Sequence, residues 1–287
     1  MRAAAACGTR STILPKEPPM PLPAPILRRM VLASSISCAC AAAQAQAFDA
    51  VRLFAVPLED GQGLAGLAVI AGHEYLGSDE RKTLVLPALS YQWANGWFAG
   101  TGNGVGYKFH SRPDMQYGLR VTLDLGRDES DAKALGGMGD IDVRPEFGGF
   151  FNYFITKEWF LTTSFRYGAG NDRDGSQTDI GIGWSSPVAP QWRLGLGVAA
   201  TYVNSKYMQA FYGVTAQQAA KSGYAEYSPG AGWRDVRGNA SLTYSFNADW
   251  SLTGALTVRS LQGDVKRSPI VTEDTPVAGV LALSYSF

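Results

Sequence analysis

Histidine is scarce in this 287-residue chain, with only His73 and His110, and all three cysteines, Cys7, Cys38 and Cys40, sit near the start. A metal site needs grouped His, Cys or carboxylates, and two separated histidines do not supply them. After residue 47 there is no thiol, hence no disulfide. Nor does that part contain a run of about 18 apolar residues, so no helix is available to span a bilayer. Positive charge is not in excess either. Of the 25 basic and 25 acidic residues, Arg2, Arg10, Lys16, Arg28, Arg29 and Glu17 precede residue 48, leaving 20 basic against 24 acidic and a net charge near −4. No nucleic-acid partner is expected of such a chain.

What the chain does contain is alternation. In Tyr117–Leu125 the residues Tyr117, Leu119, Val121, Leu123 and Leu125 share one face, opposite Gly118, Arg120, Thr122 and Asp124. A two-residue period belongs to strands and not to helices. The same pattern recurs over 159–167, 178–184, 192–202, 236–246 and 250–258, and less cleanly over 64–75, 83–93, 97–109 and 141–154. A soluble barrel would also alternate, with the apolar face inward. Aromatics at the strand ends argue for a membrane barrel: Trp159, Trp192 and Trp250 open strands, while Tyr167, Trp184, Tyr202 and Phe246 lie near strand ends, as interfacial girdles require.

The last residues sharpen that expectation. Gly279, Leu281, Leu283, Tyr285 and Phe287 share one face of a strand whose other face is Val280, Ala282, Ser284 and Ser286. This resembles the closing strand of a bacterial outer-membrane β-barrel, in which Tyr285 and the final Phe287 would form a signal read by the barrel-assembly machinery. An export signal is expected to match it. Arg28 and Arg29 precede an uncharged stretch, Met30 to Ala43, and Ala45-Gln46-Ala47 offers a small-x-small cleavage site. Residues 1–47 are therefore expected to be leader and signal peptide, with 1–19 an over-extended start ahead of Met20, and 48–287 the barrel. Cys38 and Cys40 lack the leucine expected three positions upstream of a lipidated cysteine.

Short connections (110–114, 155–157, 186–190, 246–249) alternate with longer ones at 127–140, 169–176, 204–233 and 260–276, the pattern of periplasmic turns and extracellular loops. The turn Ala94-Asn95-Gly96 breaks it, falling on the extracellular side. About eleven strands are visible. A single-chain bacterial barrel needs an even number, so Ala50–Val56 is expected to supply a twelfth. The expected fold is an all-β transmembrane antiparallel up-and-down barrel of 12 strands, with 10 as second choice, facing outer-membrane lipid.

The polar strand faces describe the lumen. Arg120, Arg166, Arg193, Arg237 and Arg259 point inward with Asp124, Glu146 and Asp179. Charges in a confined space are usually paired, so ion pairs across a filled interior are expected first, and a weakly anion-preferring pore second. Inward glycines at 181, 183, 195 and 197 fit either water or large side chains. In the loop at 204–233, Thr215-Ala-Gln-Gln218 is a capping box and Gly223 a stop, predicting a helix over 216–222. Tyr207, Phe211, Tyr212, Tyr224 and Tyr227 are expected to pack that loop against itself, the alternative being a sticky surface.

Four motifs then occur in order: Tyr75-Leu-Gly77-Ser78-Asp79; Phe211-Tyr212-Gly213-Val214-Thr215 followed by Ser222-Gly223; Gly263-Asp264; and Ser268-Pro269-Ile270. With the terminal Phe they resemble the MipA/OmpV family of outer-membrane proteins over residues 75–287. That resemblance implies a scaffold at the cell outer membrane of a Gram-negative bacterium, linking a murein hydrolase (a lytic transglycosylase) to a murein synthase in peptidoglycan metabolism. Relatives described as adhesins or pore-like antigens leave a surface adhesin or a pore as alternatives. It implies no catalytic residues, no cofactor and no metal. The residues agree: His73 with Glu74 and Ser78 is better used as a lumen hydrogen bond than as a hydrolase site, and Asn171–Gly175 has too few carboxylates for a calcium loop and no distal glutamate.

Overall fold

The computed structural model describes residues 60–109 and 112–287. Twelve antiparallel strands close into one barrel, each paired with its sequence neighbours and the last with the first. They are β1 (Gly63–His73), β2 (Arg81–Gln92), β3 (Trp97–Gly100), β4 (Gly104–Lys108), β5 (Met115–Asp124), β6 (Arg144–Phe154), β7 (Trp159–Ala169), β8 (Gly175–Ala189), β9 (Trp192–Val203), β10 (Gly232–Ser245), β11 (Trp250–Leu261) and β12 (Val277–Ser286). At the seam Leu64–Ala71 of β1 pairs with Gly279–Ser286 of β12. Gly63 N–H donates to the Phe287 carbonyl at 2.7 Å, which holds the last residue in the ladder.

The apolar face of every long strand is turned outward. Leu67, Val85, Leu119, Phe147, Phe165, Leu256 and Leu281 stand exposed on the outer wall. Bare to water, such a wall would forgo about 25 cal/mol for each Å² of apolar surface; in hydrocarbon it costs nothing, which is why a closed barrel spans a membrane this way. Trp159, Trp192 and Trp250 lie exposed at one rim, Tyr167 and Tyr202 at the other, so the girdles expected from the strand ends are in place. The rim carrying Gly63 and Phe287 has the short turns (the turn end); the opposite rim carries the long connections (the loop end).

The strand count of twelve was expected, but its origin differs. Residues 50–56 lie outside the described residues, and the wall closes on twelve strands without them. The extra strand comes from 97–109, which folds back on itself as the short hairpin β3–β4. Trp97 and Ala99 share parity with Val105 and Tyr107, so the alternation runs unbroken through the turn and reads as one strand. The break is at Gly104, with φ +73°, where an added Cβ would stand 2.1 Å from the Val121 carbonyl oxygen. With the hairpin counted, the Ala94–Gly96 turn falls at the turn end and the exception disappears. A second correction concerns 186–190: β8 runs on to Ala189 through a bulge after Pro187, so the connection is shorter than expected.

The 204–231 loop holds two helices, α1 (Ser205–Tyr212) and α2 (Ala216–Ser222). α2 is as expected: Thr215 and Gln218 form the reciprocal cap, and Gly223 ends it in the left-handed region at φ +78°. α1 was not foreseen; its cap is Asn204, whose side chain accepts from Tyr207 N–H at 2.9 Å.

Candidate functional site

In the loop-end half of the lumen, alternate residues of β5 to β11 bring a set of charged side chains together. Arg166 (β7) reaches Glu146 (β6) at 3.3 Å and Asp179 (β8) at 3.1 Å; Arg237 (β10) reaches Asp179 at 2.9 Å and Asp235 at 2.9 Å. Arg259 (β11) lies 4.0 Å from Asp235. Thr201 on β9 donates to Asp179 at 2.7 Å, and Gln177 to Glu146 at 2.8 Å. All these groups are buried. A buried carboxylate is tolerable when guanidinium and hydroxyl donors occupy its lone pairs, and here they do. The pairs join adjacent or next-but-one strands along one stretch of wall, whereas the first expectation was ion pairs across a filled interior.

The remaining lumen residues named from the sequence are placed differently from one another. Arg120 donates to Ser164 Oγ at 2.6 Å and lies 5.6 Å from the Phe150 ring centroid. Asp124 accepts N–H groups from Gly126 and Gly170, both at 3.1 Å, and so ties two loops to the rim. Arg193 is exposed at the turn end, 3.5 Å from Ser185 Oγ and away from the network. Of the inward glycines, Gly183 is filled by the Phe160 ring, which would stand 2.3 Å from an added Cβ.

Two members of the network lay beyond the expected strand. Arg234 pairs with Asp235 at 2.8 Å and donates to Tyr207 Oη at 2.8 Å. A bulge between Trp233 and Asp235 lets consecutive residues both be buried, which simple alternation forbids. Arg127, in the 125–143 loop, was also missed. It is 4% exposed, donates from Nη1 to the Phe211 carbonyl at 2.8 Å and lies 5.9 Å from the Tyr75 ring centroid.

Above the network the loops form a cap, and the four sequence motifs meet in it. Tyr75 Oη donates to the Ile270 carbonyl, Ser268 Oγ to the Tyr212 carbonyl at 2.6 Å, and Tyr227 Oη to the Asp264 carbonyl at 2.7 Å. The Gly77 carbonyl accepts from Thr272 N–H at 2.7 Å, while Asp79 accepts from Thr272 Oγ1 at 2.8 Å. Gly77 has φ +116° and packs against Val271. Tyr75, Val214 and Ile270 share an apolar cluster with Leu135 and Met138; Tyr207, Met208 and Tyr212 share another with Val203, Leu261 and Val265. Burial pushes the Tyr75 and Tyr207 hydroxyls up to about 12 and Tyr212 higher still, and desolvation lowers Arg127. Tyr207 and Tyr212 are thus packed inward, as the self-packing reading has it. The helix stop Ser222-Gly223 and the tight turn at Gly263 shape the same cap.

Between cap and network lies a cavity of about 70 Å³, lined by Tyr75, Tyr207, Phe211 and Tyr212 from the cap and by Arg127, Glu146, Arg166, Arg234 and Arg259. His73 is buried beside the seam and its Nε2 accepts from Val277 N–H at 3.3 Å, while Ser78 Oγ accepts from Glu80 N–H at 3.1 Å. These are structural hydrogen bonds, and they do not assemble a nucleophile with a base. His110 lies outside the described residues. In the 171–175 loop Asp174 pairs with Lys206 at 3.3 Å.

The family model described as MltA-interacting protein MipA matches residues 65–287. The curated MltA-interacting proteins of Escherichia coli (strain K12) and Shigella flexneri are each 26% identical over 232 residues, covering 78% of this chain and 88% of theirs. Among solved structures, the KdgM porin aligns with TM-score 0.43 and 11% identity over 78% of this chain and 99% of its own. The NanC porin aligns with TM-score 0.44 and 12% identity over 76% and 98%.

Proposed function

The chain belongs to the MltA-interacting protein MipA family, and from that premise we propose that it is an outer-membrane barrel acting as an adaptor between murein enzymes. The observation that carries the reading is the family match across the whole barrel. Its relatives are described as MltA-interacting proteins; in this reading a lytic transglycosylase is one partner and a murein synthase the second that the adaptor role requires. The lumen chemistry supports a scaffold over a channel. Paired charges and a packed aromatic cap fill the loop end, and neither leaves a row of unengaged cations to attract permeant anions. In this reading residues 1–47 are removed on export, Tyr285 and Phe287 direct insertion, the turn end faces the periplasm, and the enzymes dock there.

The test is a photocrosslinking residue in the exposed 246–249 turn, with a matching one in the loop-end 217–221 segment as control. The adaptor reading expects a lytic transglycosylase and a murein synthase attached at the turn end alone. Absence of both from the adducts refutes it. Stepwise conductance of the purified protein in a planar bilayer, weakened by neutralising Arg166, would replace it with the pore. Fractionation away from the outer membrane would remove the localisation on which both rest, and a mature N-terminus other than Phe48 would move the expected cleavage site.

A further inference from the structure

The hairpin that completes the strand count reaches only part of the way across the wall. β2 is paired with β3 only at Ser90–Gln92, and β5 with β4 only at Gly118–Val121. Toward the loop end, among the described residues, β2 from Arg81 to Ala88 has no strand on its outer side, and Leu123 of β5 has none on the facing side. The sequence is arranged for this. Thr101 closes the last rung with two bonds to Leu89, at 2.8 and 3.2 Å. Two residues on, the next group facing the gap is Pro87, which has no N–H to leave unsatisfied and resists the addition of another strand. Where β3 and β4 intervene, β2 and β5 are separated by three strand spacings, roughly 14 Å. A strap from the 125–143 loop closes the top: Lys133 N–H donates to Glu80 at 2.9 Å, and Lys82 bridges Glu74 at 2.7 Å and Asp131 at 3.5 Å. The wall thus contains a window, framed by β2, the 101–103 turn, β5 and the strap.

The cavity under the cap reaches this window. Besides lumen-facing residues its lining includes Leu123, which is 59% exposed on the outer wall and sits at the unpaired edge of β5. At its inner end is Arg127, 4% exposed, with no carboxylate in ion-pair range among the described residues and with Nε buried without a partner. Desolvating a guanidinium in this way is costly unless an anion joins it. Outside the window the surface is apolar: Val85 is 64% exposed, and Leu89 and Val105 flank it.

We propose that this cavity binds the anionic head of a single-chain amphiphile that enters sideways through the window, with Arg127 holding the head and Val85, Leu89 and Leu123 contacting the chain. A 70 Å³ space suits a carboxylate or phosphate head. With the turn end periplasmic, as proposed above, the window opens on the outer leaflet; the binding itself does not depend on the adaptor role.

Native mass spectrometry of the full barrel, released from an uncharged detergent and exposed in turn to decanoate, decyl phosphate, decanol, acetate and inorganic phosphate, tests it. One decanoate or decyl phosphate per barrel is expected, with decanol and the two short anions failing to bind at the same concentration. Arg127→Met should lower decanoate occupancy at least tenfold and Arg127→Lys should recover much of it. Leu123→Trp, which leaves the guanidinium intact and narrows the window, should also lower occupancy, and it serves if Arg127→Met fails to fold. Undiminished occupancy in Arg127→Met and Leu123→Trp overturns the proposal. So does acetate binding as well as decanoate, which would mean a simple anion site reached from water. Failure to capture murein enzymes would sink the adaptor and leave this result untouched.

Discussion

Asp179→Asn is the most informative single change to the lumen. Asp179 is 2% exposed and accepts from Arg166 at 3.1 Å, Arg237 at 2.9 Å and Thr201 at 2.7 Å. Asparagine keeps the volume and one acceptor oxygen but removes the charge. Breaking a buried ion pair by deleting one partner costs about 3–5 kcal/mol, because the other charge stays buried and uncompensated. Here the loss is shared: Arg166 retains Glu146 and Arg237 retains Asp235. That places the expected destabilisation at the lower end, about 3 kcal/mol, or roughly a hundredfold in the unfolding equilibrium. Guanidinium-induced unfolding in lipid vesicles, followed by tryptophan fluorescence, measures it. A cycle with Arg237→Met separates the pairing from the burial, since the double variant should lose less than the two singles together. If Asp179→Asn unfolds within about 0.5 kcal/mol of the parent, the network is not a stabilising link between β7, β8 and β10, and the scaffold reading of the lumen fails with it.

Three further outcomes are expected. Gly104→Ala forces a side chain into the left-handed region and against the Val121 carbonyl, so it should cost at least about 1–2 kcal/mol and raise hydrogen exchange in β3–β4 before the rest of the wall. Thr215→Ala deletes the side-chain half of the α2 cap, with an expected loss of about 1 kcal/mol confined to the loop end; limited proteolysis near 216–222 should accelerate while the barrel stays intact. The clasp between Asp79 and Thr272 should loosen in acid. The Thr272 hydroxyl beside Asp79 holds its carboxyl below the usual carboxylate range, so the bound form is favoured above the ordinary pKa and the contribution is lost as pH falls through the lowered value. The protection factor of Asp79 N–H, its exchange rate corrected for the intrinsic pH dependence, should therefore fall below about pH 4 relative to pH 6, and Asp79→Asn should abolish that change.

Much of the wall was legible because one rule governs it. An outward apolar residue every second position, with aromatics at the rims, marks ten long strands with no help from tertiary contacts, and the Thr215–Gln218 box places α2 to the residue. The illegible parts are those where that rule is suspended. The β3–β4 turn preserves parity and so hides inside an apparent single strand. The bulge at Trp233–Asp235 breaks parity, and Arg234 and Asp235 drop out of the expected lumen set though both are central to it. Arg127 belongs to no strand; only its partners on distant loops, Phe211 and Tyr75, show that it is part of the site. The motifs were recognisable as words but not as a place: nothing in the spacing of Tyr75 and Ile270 says that they share a hydrogen bond across 195 residues.

The half-length hairpin also sets a condition on the membrane around it. On the free side of β2 the backbone groups of Val85 and Thr83, and the carbonyl of Pro87, have no strand to bond among the described residues. In dry hydrocarbon each such group costs several kcal/mol, and closed barrels exist because they avoid this. Pro87 removes one donor and the Thr101 hydroxyl meets Leu89, yet the remaining groups exceed what those two devices cover. The strap offers the rest of the answer, since Lys82, Glu80 and Asp131 bring charged, hydrated groups to the top of the window. Water entering below them can reach the free edge, and the bilayer must yield locally to admit it. A wall that were complete would gain those hydrogen bonds outright. That this one forgoes them, beside a cavity ending in a buried arginine, is the physical reason to look for a ligand in the window and not to treat the gap as a defect of closure.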